Sequence, residues 1–367
     1  MQTAGFIYSI KYKIIFIGFV CNIIIMKSSK LSWANDLRAF ATIAVIMLHV
    51  ASTISLQYPA IPKTYFFSSI LIDSCLRWCV PVFIMLSGSF ALEHYDGRLK
   101  VFFIKLFYRI ILPFFFWSIV YLLYFSYNEL NDLYKNAGQL FSFIGKQFLS
   151  GTAPHLWFVY IIVSLYLSFP ILSKWTKVAV KNEYIYFLSL WIISLLLGDY
   201  LAKYDTSWDL SYFSGYLGYV ILGNYLFKVE TKINRLILFM LFAIGVLYTA
   251  IRTYFISIDE NTLNEAFMEN LSLNICLMSY CAYLFVKNSQ FVIYPVWRRG
   301  IDIICLHSYG IYLSHFLILN IFLWAGLNFS FIHPLLSIPL ISFVCLVISC
   351  TLVSVMKKIP FLRALAG

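Results

Sequence analysis

Charge is what this sequence has least of. Lys, Arg, Asp and Glu make up only 12% of its 367 residues, against about 25% in an ordinary soluble domain. A chain with so little charge cannot coat a water-soluble surface of this size. Short alternating strands are missing as well, which argues against a transmembrane β-barrel. Zinc-type Cys and His spacing is absent. Seven of the eight cysteines (Cys75, Cys79, Cys276, Cys281, Cys305, Cys345 and Cys350) lie inside apolar segments. There a cysteine acts as a small apolar side chain rather than half of a disulfide. No internal repeat, direct or inverted, is visible. Many transporters carry one, so its absence weighs a little against transport.

What the sequence has instead is apolar length. Hydrophobic residues make up 62% and the mean hydropathy is +0.84. Continuous runs near the roughly 17–25 residues needed to cross a bilayer recur along the whole chain. The expected fold is all-α: a polytopic transmembrane helical bundle of about ten spans. They fall near 37–56, 70–92, 103–125, 155–173, 183–198, 211–228, 234–255, 267–287, 302–324 and 333–356. The fifth and sixth are short, and their junction through Asp199, Lys203, Asp205 and Asp209 can be drawn differently.

The net charge of +11 would suggest nucleic acid in a soluble protein. Here the basic residues cluster in alternate connections, so no nucleic-acid partner is expected. One set carries Lys27 and Lys30, then Arg98, Lys100, Lys105 and Arg109, and continues to Lys357, Lys358 and Arg363. The other set has only Lys63, Lys135, Lys146 and Lys203. The positive-inside rule then places both ends in the cytoplasm. Residues 1–26 stand apart from this pattern. Ile14–Met26 is apolar but short, and reads as an extra span, as a signal-like or interfacial segment, or as untranslated sequence before a start at Met26. MKSSKLSWANDLR has the look of a basic cytoplasmic leader, which favours the last. Residues 27–367 form a single membrane domain. The longest stretch between spans, about Ser126–Pro154, carries few charges.

The polar residues inside the apolar runs are the candidate machinery. Arg38 and His49 are eleven residues apart, about three helical turns and about 16 Å along one face. With Arg38 at the cytoplasmic edge, His49 sits near mid-membrane, where ionisable residues mark functional sites. A lone histidine at that depth can also simply bond a neighbouring helix. Lys105 and Arg109 share a side of the third span. Both can be ordinary snorkelling anchors, yet Arg109 lies deeper than anchoring needs. With Arg38 it can form a lip for phosphate, which suits the arginine fork. Asp36 is placed to orient Arg38. Asp73 and Arg77 have ion-pair spacing, either structural or turned toward an acceptor, and Pro81 is expected to bend that helix and open a cavity. Trp157 alone reads as interfacial belt. His155 beside it can face an acceptor sugar. His307 and His315 share a face of the ninth span, while His94 and His333 read as interfacial.

Taken in order, these stretches resemble the acyltransferase-3 family of integral membrane acyltransferases. NDLRAFATIAVIMLH carries that family's Arg-x10-His opening, followed by RWCVPVFIMLSGSFAL, KLFYRIILPFFFW, HLWFVYIIVSLYLSFPIL and SYGIYLSHFLIL. The chain looks closest to the branch that O-acetylates bacterial surface polysaccharides, which includes the enterobacterial common antigen O-acetyltransferases. The resemblance implies acetyl-CoA as cytoplasmic acyl donor, His49 as the essential catalytic residue with Arg38 as its donor-binding partner, and a multi-pass protein of the bacterial inner membrane. Lys105 and Arg109 occupy the family's basic motif, in which Lys105 replaces the usual arginine. By this reading Arg38, Lys105 and Arg109 hold the donor. Asp73, Arg77, His155 and Trp157 hold a surface glycan or its lipid-linked precursor, and no metal is expected. Direct transfer and an acetyl-histidine relay both remain open. The competing reading from another class is a transporter or flippase of a glycan or small solute. A different membrane acyltransferase superfamily with a buried histidine ranks last, because it lacks the Arg-x10-His opening.

Overall fold

The computed structural model describes residues 31–133, 137–201, 215–289 and 295–367, and among these every regular element is helical. In order they are α1 Ser32–Ser55, α2 Lys63–Leu76, α3 Cys79–Ala91, α4 Leu99–Leu106, α5 Leu112–Phe125, α6 Tyr127–Leu133, α7 Ala137–Ser150, α8 Trp157–Val178, α9 Lys181–Leu201, α10 Leu217–Lys228, α11 Arg235–Glu260, α12 Leu273–Asn288, α13 Pro295–Trp324 and α14 Pro334–Lys358. Seven helices among the described residues are long and apolar enough to cross a membrane: α1, α2 with α3, α4 with α5, α8, α11, α13 and α14. They correspond to seven of the ten expected spans, with the start of α2 at Lys63 against an expected 70 among the widest differences. The other three expected spans coincide with α9, α10 and α12. Of these, α10 and α12 are only 12 and 16 residues long. Residues 1–26 and the charged junction at 203–209 lie outside the described residues.

One further boundary differs for a physical reason. The expected eighth span began at 267, but α12 begins at Leu273. The preceding residues form a turn of 3-10 helix, Ala266–Met268, that tucks Met268 inward to 1% exposure. Met268 packs there with Tyr58, Phe66 and Ile70. The expected stretch between spans after Ser126 carries α6 and α7. In α7, Leu140, Phe143, Ile144, Gln147 and Phe148 are half-buried, which is the i, i+3, i+4, i+7 stripe of an amphipathic helix.

Helix α1 is the hub. It packs against α2, α3, α12, α13 and α14. Small residues make this possible: Ala34, Ala39, Ala41, Ala44 and Ala51 are at most 5% exposed, and small side chains let helices approach closely. The break between α2 and α3 falls at Arg77–Trp78. Pro81 lacks the N–H that would bond the Arg77 carbonyl, so the ladder opens one turn before the proline.

The closest crossing is α3 on α10. A Cβ at Gly88 would lie 2.0 Å from the Val220 carbonyl oxygen, and one at Gly223 would lie 2.1 Å from that of Met85. Contact this close lets side chains reach backbone across the seam. Asn224 donates to the Gly88 carbonyl at 3.2 Å and to Glu93 at 3.0 Å. Tyr184 donates to the Asn224 side chain at 2.7 Å, and Lys228 pairs with Glu93 at 3.0 Å. Gly223→Ala or Gly88→Ala must push two backbones apart, at the ~1–3 kcal/mol typical of overpacking. Thermal unfolding of the detergent-solubilised protein should show a melting point several degrees lower for each variant, and no change would refute the close crossing.

Candidate active site

Three imidazoles from three separate helical elements meet inside the bundle. His49 comes from α1, His315 from α13, and His155 from the 3-10 turn Pro154–Leu156 that opens α8. Ring centroids lie 5.1 Å apart for His49 and His315, 5.3 Å for His155 and His315, and 6.3 Å for His49 and His155. Aromatic rings box them in. Phe316 stacks on His155 at 4.8 Å, Tyr121 meets His155 edge-on at 5.0 Å, and Tyr312 stands 5.5 Å away.

Backbone contacts fix this cluster. The Tyr121 hydroxyl donates to the Leu313 carbonyl at 2.8 Å and accepts from the Leu317 N–H at 3.0 Å. It thus wedges into the helical ladder on either side of His315. The Tyr312 hydroxyl donates to the His155 carbonyl. His315 Nδ1 lies 2.7 Å from the Tyr312 carbonyl and 3.1 Å from that of Ile311. A carbonyl only accepts, so Nδ1 carries the proton and Nε2 keeps its lone pair. Nε2 has no partner, and neither ring nitrogen of His155 makes a well-formed hydrogen bond. The Leu313 carbonyl nearby is engaged by Tyr121. His155 is 2% and His315 0% exposed. Buried polar atoms of this kind ordinarily find partners.

A cavity of about 160 Å³ opens beside the cluster, with His49, Ser52, Arg77, His155, Trp157, Glu265, Asn270 and Tyr312 among its lining. Arg77 is held from behind. Its Nε and Nη2 bond the two Asp73 oxygens at 2.7 and 2.8 Å, and Nη2 also bonds Glu265 at 2.8 Å. Asp73 is fully buried, whereas the Glu265 side chain is 42% exposed. The Asp73–Arg77 pair is therefore real and lies at the cavity wall. Trp157, 38% exposed, stands between this cavity and a wider cleft of about 440 Å³ lined by Phe125, Phe316 and Asn320.

The other end of α1 holds the basic residues. Arg38 and Arg109 both lie within electrostatic reach of Tyr166 on α8, which neighbours Ser87 on α3. Arg109 sits in one wide π-type turn, Phe107–Ile111, between α4 and α5. Pro113 has no N–H to offer the Arg109 carbonyl, so the wide turn falls where a normal bond is missing, and such turns recur at functional sites. Arg109 Nη2 is buried with no hydrogen-bond partner. Lys105 stands beside Arg109 and the Asp96–Arg98 pair. In that exposed pair the Arg98 guanidinium holds the Asp96 carboxyl below its ordinary range.

Not every expected contact forms. Asp36 does not orient Arg38. It pairs at 2.6 Å with Arg298 of α13, which also holds Asp302 at 2.8 Å. Residues two apart on a helix face different ways, so a partner from another helix wins. His307 does not join His315; it lies toward Lys357. His94 turns back on the Phe90 carbonyl at 2.7 Å, and His333 caps α14 through the Leu335 N–H. The seven described cysteines are free thiols. Among the described residues no group of His, Cys, Asp and Glu is arranged to hold a metal ion. Glu265, Asn270, Tyr121 and Tyr166 were not anticipated. Tyr166 and Tyr121 look like any membrane aromatic, and Glu265 lies in a polar connection with no motif around it.

Comparison with known proteins gives one match. The family described as an acyltransferase domain matches residues 31–357. No curated protein sequence and no solved structure matches the chain.

The ion pair at the cavity wall gives a test. Arg77→Leu leaves the Asp73 carboxylate buried without its partner, at a cost of about 3–5 kcal/mol. Asp73→Leu combined with Arg77→Leu should recover most of it. Melting points of the two single variants and the double variant would show this, and strict additivity would mean the pair contributes nothing.

Proposed function

Because this chain belongs to the acyltransferase-3 family, we propose that it is a multi-pass O-acyltransferase of the bacterial inner membrane. In this reading it moves an acetyl group from cytoplasmic acetyl-CoA to a hydroxyl of a surface polysaccharide or its lipid-linked precursor. The observation that carries the reading is the layout of α1. Its arginine and a second, partly unsatisfied guanidinium both lie within electrostatic reach of Tyr166 at one end, and its histidine lines a cavity three turns away.

Arg38 and Arg109 would take the phosphates of the donor, which match the planar guanidinium fork. Lys105 adds positive charge at the same rim. The pantetheine arm would then run along the face of α1 and bring the thioester to His49. The acceptor enters from the cavity beside Arg77 and Trp157. His49, as a neutral imidazole, takes the proton of the acceptor hydroxyl as that oxygen attacks the thioester carbonyl carbon. The carbon–sulfur bond breaks, the new ester is released, and the imidazolium returns its proton to the departing thiolate. His155 and His315 supply unpaired nitrogens around the same point, where they can hold the acceptor or the His49 ring in place. The aromatic box excludes water that would otherwise hydrolyse the thioester.

A deletion strain complemented with wild type, His49→Ala or Arg38→Ala tests this. Each variant is first shown to reach the membrane at normal abundance. Ester-linked acetyl on purified surface glycans, measured by NMR before and after mild base, should vanish on deletion and return only with wild type. Full restoration by His49→Ala would make that histidine structural. Unchanged acetyl with a block in glycan export would favour transport instead.

A further inference from the structure

The cavity over His49 contains only two charged side chains, Arg77 and Glu265, and they are bonded to each other at 2.8 Å. Asp73 stands behind them, its two oxygens forked onto Arg77. Nε and Nη2 of that guanidinium are directed at carboxylates, and Nη1 lies 3.5 Å from the Met268 carbonyl. We propose that Glu265 makes this cavity reject anionic acceptors, so that the ring receiving the acyl group is a sugar without carboxylate or phosphate. The inference rests on the acyl-transfer reading above and narrows its acceptor.

The charges of the segment that carries Glu265 point the same way. Asp73, Arg77 and Glu265 together leave one net negative charge. The connection from Asp259 to Asn270 adds Asp259, Glu260 and Glu269 and contains no lysine or arginine. Arg252, in the last third of α11, lies over the face of Phe267, 5.0 Å from the ring centroid. An acceptor bearing a carboxylate or phosphate would face Glu265 and find Arg77, the one cation among the described lining residues, already paired with two carboxylates. A ligand with neutral hydroxyls, each both donor and acceptor, suits such a paired edge.

The remaining lining has the chemistry of a sugar site. Glu265 bonds Arg77 through Oε1, which leaves Oε2 to accept from a hydroxyl. Asn270 offers an amide with both donor and acceptor groups. Trp157 presents an apolar ring at the cavity wall, suited to the C–H face of a pyranose. His155, 2% exposed and without a well-bonded ring nitrogen, lines the same space. It is the buried polar group that a bound hydroxyl would satisfy.

The experiment assigns the deletion-dependent ester to a particular sugar ring by two-dimensional NMR of the native glycan. The expected result is an ester on a ring with no carboxylate and no phosphate. An ester on a ring bearing either of these overturns the proposal. If deletion removes no ester at all, the acyl-transfer reading itself has failed and this inference falls with it, a result seen before any ring is assigned. Glu265→Gln keeps the length of the side chain and its contact with Arg77. Measured per molecule of membrane protein, it should lower ester content at least tenfold, and unchanged content would remove Glu265 from acceptor recognition.

Discussion

A polar group within a bilayer has no water to turn to, so protein or ligand must satisfy it. That constraint accounts for most of the contacts in this molecule. Serine and threonine hydroxyls fold back onto the carbonyl a turn earlier, as Thr42 and Thr53 do in α1. Lys287 spans from α12 to cap the C-terminal carbonyls of α10, donating to those of Leu226, Phe227 and Val229. Asp73 reaches no water and forks onto Arg77. Against this background the unsatisfied groups stand out. Several are hydroxyls, which cost little. The guanidinium nitrogen of Arg109 and the ring nitrogens of His155 and His315 are more expensive to leave bare, and they lie at the two ends of the face of α1 that runs from Arg38 to His49.

Much of the architecture was legible in the sequence because hydrophobic length is a direct readout of bilayer thickness. The first span, with Arg38 and His49 three turns apart, needed only helical geometry. So did the Asp73–Arg77 pair, which is local. The parts that were not legible depend on which helices meet. His315 was visible in SYGIYLSHF, but one-dimensional spacing paired it with His307 on its own helix. Its real neighbours are His49 and His155, more than a hundred and fifty residues away. Asp36 shows the same limit. Nearness along the chain suggested Arg38, while packing delivered Arg298.

Glu265 marks a different limit. It lies in a connection whose composition says only that it is polar. It acquires meaning because Met268 anchors the segment among Tyr58, Phe66 and Ile70, which brings Glu265 against Arg77. The break in the helix at Arg77–Trp78, caused by Pro81, places the guanidinium at the cavity wall. One proline and one buried methionine, neither chemically active, thus decide what charge the cavity presents.

The central position of α1 has a mechanical consequence. A helix packed by five neighbours cannot slide or bend without disturbing all of them, and close-packed interiors resist small displacements. The separation between Arg38 and His49 is therefore set by helix rise, about 16 Å over eleven residues. On the proposed reading that fixed interval is a ruler. A donor gripped by its phosphates at one end presents its thioester at one depth, and the imidazole waits there. An α1 that flexed would lose the near-contact geometry on which general-base catalysis depends. The alanines of α1, which merely allow close approach, are in this sense what hold the two ends of the site at a working distance.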